Sequence, residues 1–76
     1  MDTRSNLIAK IHYQVSTYGE FCLYEVEISF RGESYHAERI FINEDYIAIV
    51  ELENGIEIDI ATLSYNELIE VYESIT

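Results

Sequence analysis

The most informative stretch of the chain is residues 47–60, IAIVELENGIEIDI. Apolar and polar side chains alternate on both sides of Asn54-Gly55, a pattern typical of two strands joined by a tight hairpin. A two-residue loop would place Leu52 opposite Glu57 and mix the apolar face with the charged one. The length of the loop therefore decides which side chains this hairpin buries.

A three-residue loop over residues 53–55, with the glycine in a bulge, pairs Leu52 with Ile56 and keeps the apolar face continuous. Its drawback is that Glu51 then faces Glu57 on the solvent side. We favour the three-residue loop because the burial of apolar side chains outweighs an exposed repulsion that water and salt weaken.

Alternation of the same kind continues towards the N-terminus, with turns at residues 17–20, 31–32 and 43–45. It predicts an antiparallel meander of five strands, at approximately residues 7–16, 21–30, 34–42, 46–52 and 56–61. Residues 5–16 also fit a helix, with Leu7, Ile8, Ile11 and Val15 as its apolar stripe. The strand is favoured because its register sets His12 opposite Glu25 and Lys10 opposite Glu27.

Strict alternation assigns every strand residue to a core face or an outer face. The core face is expected to hold Leu7, Ala9, Ile11, Tyr13, Val15, Cys22, Tyr24, Val26, Ile28, Phe30, Tyr35, Ala37, Arg39, Phe41, Tyr46, Ala48, Val50 and Leu52. Arg39 is an unusual member of this set. We expect its stem to cover the sheet while its guanidinium reaches a carboxylate, and the alternative is an arginine used for recognition.

The C-terminal segment changes period and predicts one helix at approximately residues 65–75. Ser64 and Glu67 have the spacing of a capping box, and Leu63 and Leu68 that of a hydrophobic staple. The fold class expected from the whole chain is α+β, with this single helix packed across one face of the meander.

Seventy-six residues allow one domain, 1–76, without linkers or repeats. The net charge of −11 disfavours direct binding to nucleic acid. A lone cysteine, Cys22, indicates a reducing, cytoplasmic setting. We find no signal peptide and no membrane-spanning run, and so expect no contact with a membrane.

Catalysis lacks support in the sequence. A metal site formed by His12, Glu25, His36 and Glu38 is disfavoured, because strands 1 and 3 of the meander would lie about 9.5 Å apart. Cys22 and Ser64 have no basic partner that would activate them as nucleophiles. We therefore expect no enzyme activity, no metal and no cofactor.

Acidic side chains are concentrated in the second half of the chain, where Lys and Arg are absent after Arg39. This candidate recognition surface comprises Glu44, Asp45, Glu51, Glu53, Glu57, Asp59, Glu67, Glu70 and Glu73. The sequence thus favours a small protein-binding module, an inhibitor or adaptor that presents carboxylates to a basic partner. Acids two apart on a strand repeat every ~6.7 Å, near the spacing of successive phosphates, so a nucleic-acid mimic is a narrower hypothesis. Anti-defence proteins of phages and mobile elements share this composition, which is an analogy of composition only.

Apolar residues on the expected outer face suggest an alternative function. They are Phe21, Leu23, Ile40, Ile42, Ile47 and Ile49, and an exposed cluster of this kind is typical of an interface. In this second hypothesis the protein is an assembly module that forms a homodimer through the cluster, and its acids serve solubility only.

Overall fold

Within residues 3–76, the part of the chain that this computed structural model describes, two helices accompany a five-stranded antiparallel sheet. The first two residues of the expected domain lie outside this range. In chain order the elements are α1 (Thr3–Tyr18), β1 (Phe21–Cys22), β2 (Glu27–Phe30), β3 (Glu33–Ile42), β4 (Ala48–Leu52), β5 (Glu57–Asp59) and α2 (Tyr65–Ile75), with a 3-10 turn at Ile60–Thr62. The α+β class expected from the sequence is confirmed.

The N-terminal segment is a helix, so the strand predicted at 7–16 is wrong. Ile11 and Val15, one helical turn apart, are buried, whereas Tyr13 is 64% exposed although alternation put it on the same face as Ile11. The sheet explains why this segment is a helix and not another strand. Its face is four strand positions wide, about 19 Å, because β1 and β2 share one edge, and α2 alone would cover only about 10 Å of it. The strand pairs that involved His12 and Lys10 do not form.

Both tight hairpins follow the loop lengths that the sequence indicates. The turn between β2 and β3 is the two-residue Arg31-Gly32, with positive φ of 52° and 81°. The turn between β4 and β5 is the three-residue loop at 53–55, in which Leu52 exchanges hydrogen bonds with Gly55 and Ile56. Positive φ at both glycines explains why these turns need them.

A β-bulge in β3 reverses the alternation of sides. The register with β4 shifts between Ala37 and Arg39, so that Ala37 and Ile40 both face the core although they are three residues apart. Arg39 and Phe41 consequently lie on the opposite side from the one predicted, and Ile40 is fully buried instead of exposed.

The edge strand predicted at 21–30 is broken in the same way. β1 and β2 both pair with β3, and the chain between them bulges outward at Glu25, which has a φ of 58°. Leu23 is therefore buried, while Cys22 and Tyr24 are exposed, the reverse of the prediction. Tyr46, also expected in the core, lies in the β3–β4 turn and is exposed.

Both helices cover one face of the sheet and form a single core with it. Ser64 and Glu67 make the predicted capping box at the start of α2, and Leu63 and Leu68 are buried beside it. The core residues contributed by the helices are Ile11, Val15, Leu68, Val71 and Ile75. Since both helices lie on this side, the other face of the sheet is left without a helical cover.

Candidate functional site

The uncovered face of the sheet, here called the open face, is the candidate site. The strand registers place its side chains in two rows across β1, β3, β4 and β5. One row holds Cys22, Arg39, Glu51 and Glu57, and the other holds Phe41, Ile49 and Asp59, with Glu20 and Ile47 at the margins. Because this face follows from the bulge in β3, sequence alternation assigned several of these residues to the wrong side.

Arg39 is the cation at the centre of the open face. Its Nη1 donates to Glu20 Oε1 and its Nε donates to Glu51 Oε1, both at 2.6 Å, and its guanidinium lies 4.3 Å from the centre of the Phe41 ring. The sequence predicted that the guanidinium reaches a carboxylate, and this is confirmed. The aliphatic stem of Arg39, however, lies on the open face and not on the predicted core face. The hydrogen bond to Glu51 raises the pKa of Arg39 above its ordinary value despite partial desolvation.

The direction of this pKa shift determines how Arg39 contributes to the pH dependence of folding stability. A basic group whose folded-state pKa is raised stabilises the fold below its unfolded pKa and loses that contribution only as pH rises through the folded value. For an arginine both values lie above the range in which proteins are studied. Arg39 therefore remains a fixed positive charge between Glu20 and Glu51.

An apolar strip of Phe41, Ile47 and Ile49 lies beside this cation. Ile49 is only 7% exposed although no helix covers it, and Phe41 and Ile47 are half-buried. Phe41 stands directly opposite Ile49 across the β3–β4 pair. The strip thus gives the centre of the open face an apolar floor.

Most residues of the apolar interface expected from the sequence lie on the core side of the sheet and not on its open face. Leu23 and Ile40 belong to the core, and Phe21 and Ile42 pack against the core from the helical side. Ile47 and Ile49 remain on the open face, joined by Phe41, which alternation had placed inside. The signal that could have revealed this was the arginine: an expected core face that contains Arg39 indicates a bulge before it.

Carboxylates border the apolar strip on β4 and β5. Glu51 and Glu57 are directly opposed, so the like-charge pair expected from the three-residue loop is present. Asp59 lies on the same face two residues after Glu57, and its Oδ1 accepts a hydrogen bond from the backbone N–H of Ala61. These three acids form one patch.

The other acids of the predicted recognition surface lie elsewhere. Glu44 and Asp45 occupy the β3–β4 turn. Glu53 accepts a hydrogen bond from the N–H of His36, and Glu67 accepts from Ser64 and from Ser29 of β2. The last two, Glu70 and Glu73, border a shallow cleft with Tyr24, Glu25 and Ser74. The nine acids are therefore distributed over several sides of the molecule.

The two histidines lie against different parts of the molecule. His12 donates from Nε2 to the carbonyl of Tyr46 at 2.9 Å, and His36 stands opposite Glu27. Across residues 3–76, no three His, Cys, Asp or Glu side chains are grouped so that they could hold a metal ion. The helices in that range are too short or too polar to cross a membrane.

Comparison with known proteins gives no relative for this chain. No family model matches it, and neither a curated protein nor a solved structure matches it. On the open face, carboxylates and an apolar floor are the groups that a partner would meet.

Proposed function

We propose that this chain is an acidic protein-binding module, an inhibitor or adaptor, whose open face receives a basic segment of a protein partner. The observation that carries the proposal is the patch of Glu51, Glu57 and Asp59 beside the apolar strip, with Arg39 as its central cation. Carboxylates next to an apolar floor match the two parts of a lysine or arginine side chain, its charged head and its aliphatic stem.

Spacing on the open face suits a guanidinium. Opposed residues such as Glu51 and Glu57 have Cβ atoms about 4.5–5.5 Å apart, and Glu57 and Asp59 are about 6.7 Å apart along β5. A planar guanidinium can bridge two carboxylates at such distances with directed hydrogen bonds. Arg39 already makes this kind of bridge between Glu20 and Glu51 within the molecule.

Like charges directly opposed on a sheet destabilise the free protein. Arg39 contacts Glu51, whereas the side chain of Glu57 makes no hydrogen bond or ion pair within residues 3–76. A cation bound at Glu57, with Asp59 as its second carboxylate, would relieve the repulsion between Glu57 and Glu51, so it would be held more tightly than by isolated surface acids. This is the reason for proposing a binding role instead of solubility alone.

The direct test is a titration of isotope-labelled protein with a short arginine-rich peptide, followed by NMR. We expect the largest amide shifts on β3, β4 and β5, and weaker binding at higher salt because the attraction is electrostatic. Replacing Glu57→Gln together with Asp59→Asn should weaken the affinity about tenfold.

The matched control removes the same charge elsewhere, by Glu70→Gln with Glu73→Gln on α2. We expect this control to bind the peptide within about twofold of the wild type. Equal weakening by both double variants would show that only net charge matters and would contradict a specific open face. Shifts centred on α2 would contradict it as well.

Mimicry of a nucleic acid is a narrower form of the same proposal. The carboxylates of β5 have a repeat near that of phosphates, although the described patch contains only three of them. Capture of a natural partner from cells at low salt, followed by competition with DNA and RNA, tests it. A mimic and a nucleic acid would exclude each other from the partner, whereas simultaneous binding would reject mimicry and leave the binding module intact.

A further inference from the structure

A second surface, on the helical side of the molecule, has the opposite character to the open face. An open groove of about 480 Å³ runs between α1 and the β3–β4 turn. The residues that line it include Ile8, Ala9, His12, Tyr13, Ser16 and Tyr46. None of these is an Asp, Glu, Lys or Arg. We refer to this surface as the α1 groove.

The sequence makes an uncharged surface of this kind exceptional for this protein. Residues 3–18 contain no Asp or Glu, although the chain has fifteen acids and a net charge of −11. Fourteen of the fifteen lie at or beyond Glu20. Interfaces between proteins are depleted in charge and enriched in tyrosine at their centres, and Tyr13 and Tyr46 are both about two-thirds exposed here.

We propose that the α1 groove is the interface of a twofold homodimer in which Tyr13 of each copy enters the groove of the other. A twofold interface uses the same patch on both copies, so a projecting group and a recess must lie side by side on it. Tyr13 projects from α1 and also forms a wall of the groove. Ala9 and Ser16 are small, which allows two helices to approach closely.

The charge distribution favours the α1 groove over the open face as the place where a second copy binds. Two chains of net charge −11 repel each other, and the repulsion at contact is smaller at the α1 groove than at the open face. No residue that lines the groove is an acid, and the acids nearest in sequence are Glu44 and Asp45, which precede Tyr46 in the β3–β4 turn. Pairing through the open face would set Glu51, Glu57 and Asp59 of one copy against those of another. A basic partner, by contrast, finds no carboxylate among the groove-lining residues.

The available area indicates a weak, reversible dimer. A standard interface buries about 800 Å² on each partner, about one sixth of this chain's exposed surface of 4776 Å². The α1 helix has 16 residues and is about 24 Å long. One side of this helix together with the β3–β4 turn presents less area than the roughly 800 Å² that one partner buries in a standard interface. We therefore expect a dissociation constant in the micromolar range.

The dimer does not depend on the proposed function of the open face, but a dimer would carry two open faces in one particle. α1 and the open face are on opposite sides of the sheet, so pairing through α1 leaves both open faces accessible. A partner with two basic segments would then bind with an effective concentration set by the dimer.

Sedimentation equilibrium of the full chain tests the proposal. We expect a monomer–dimer equilibrium whose dissociation constant falls about tenfold between about 50 mM and about 500 mM NaCl, because salt screens the repulsion. Tyr13→Glu should raise the dissociation constant at least about thirtyfold while the circular dichroism spectrum stays unchanged. Binding of the arginine-rich peptide to the open face weakens with salt, so the two proposals fail independently.

Tyr24→Glu is the matched control, since Tyr24 is also largely exposed but borders a different cleft, next to α2, and does not line the α1 groove. This variant should dimerise like the wild type. A wild type that remains monomeric at about 500 µM in about 500 mM NaCl would overturn the dimer. A dimer that survives Tyr13→Glu would overturn the proposed interface.

Discussion

Single residues with positive φ shape the turns of this protein. The β3–β4 and β4–β5 loops are built alike, each with three residues, and the third is in the left-handed region: Tyr46 with φ of 63° and Gly55 with φ of 88°. Glycine adopts this conformation freely, whereas a tyrosine is strained in it. Tyr46 is held by His12, whose ring meets its ring edge-on at 4.8 Å and whose Nε2 donates to its carbonyl. Two chemically different residues thus fill equivalent positions.

This comparison yields a prediction for Gly55. Gly55→Ala should lower the free energy of unfolding by about 1 kcal/mol, because a Cβ is strained at this φ although no atom crowds it. Gly55→Asn should cost less, since asparagine tolerates the left-handed region. Urea unfolding of both variants measures the difference, and equal losses would show that backbone strain is not the cause.

At the scale of elements, the helix α1 determines how the sheet is covered. α1 and α2 pack side by side on one face, and their buried side chains recur at helical spacing. β1 and β2 form one interrupted edge strand against β3. The Ser64 cap, by contrast, depends on four consecutive residues, so the sequence alone predicts it.

Two substitutions on α1 distinguish a helix from a strand. Ile11 is fully buried, so Ile11→Val should lower the free energy of unfolding by about 0.5–1.5 kcal/mol. Tyr13→Ala should change it by less than about 0.5 kcal/mol, measured at low protein concentration where the monomer dominates. In a strand both residues would share the core face, and Tyr13→Ala would then be the more damaging of the two.

At the scale of the whole molecule, charge is not neutralised by local pairing. Within residues 3–76 the ion pairs are those of Arg39 with Glu20 and Glu51, and the net charge of the chain is −11. Excess charge of one sign destabilises a compact state through self-repulsion. The fold therefore depends on its apolar core and on the ionic strength of its surroundings.

Salt should consequently stabilise the protein. We expect the Tm to rise between about 20 mM and about 500 mM NaCl, with each 1 kcal/mol of relieved repulsion worth about 4–8 °C. A variant that combines Glu44→Gln, Glu70→Gln and Glu73→Gln has a net charge of −8 and should respond less steeply. Differential scanning calorimetry of the two proteins measures this, and a Tm that falls with salt would contradict it.

The sequence alone determined the features that depend on neighbouring residues. Turn chemistry gave Arg31-Gly32 and the loop at 53–55, and the Ser64–Glu67 spacing gave the start of α2. Alternation correctly placed Val26, Ile28 and Ala37 and the apolar residues of β4, because short regular strands keep one side buried. Composition established the acidic character.

Only the tertiary structure decided which face of the sheet a side chain occupies once its strand is interrupted, as β3 is by its bulge. Residues 5–16 fit both a helix and a strand, and cross-strand pairing favoured the strand in the sequence. The helix forms because the sheet face is too wide for one helix to cover. One extra residue near Glu38 moved Arg39 and Phe41 to the open face and Ile40 into the core. A bulge changes side-chain direction without changing composition, so the position of the candidate site followed from strand pairing between residues distant in sequence.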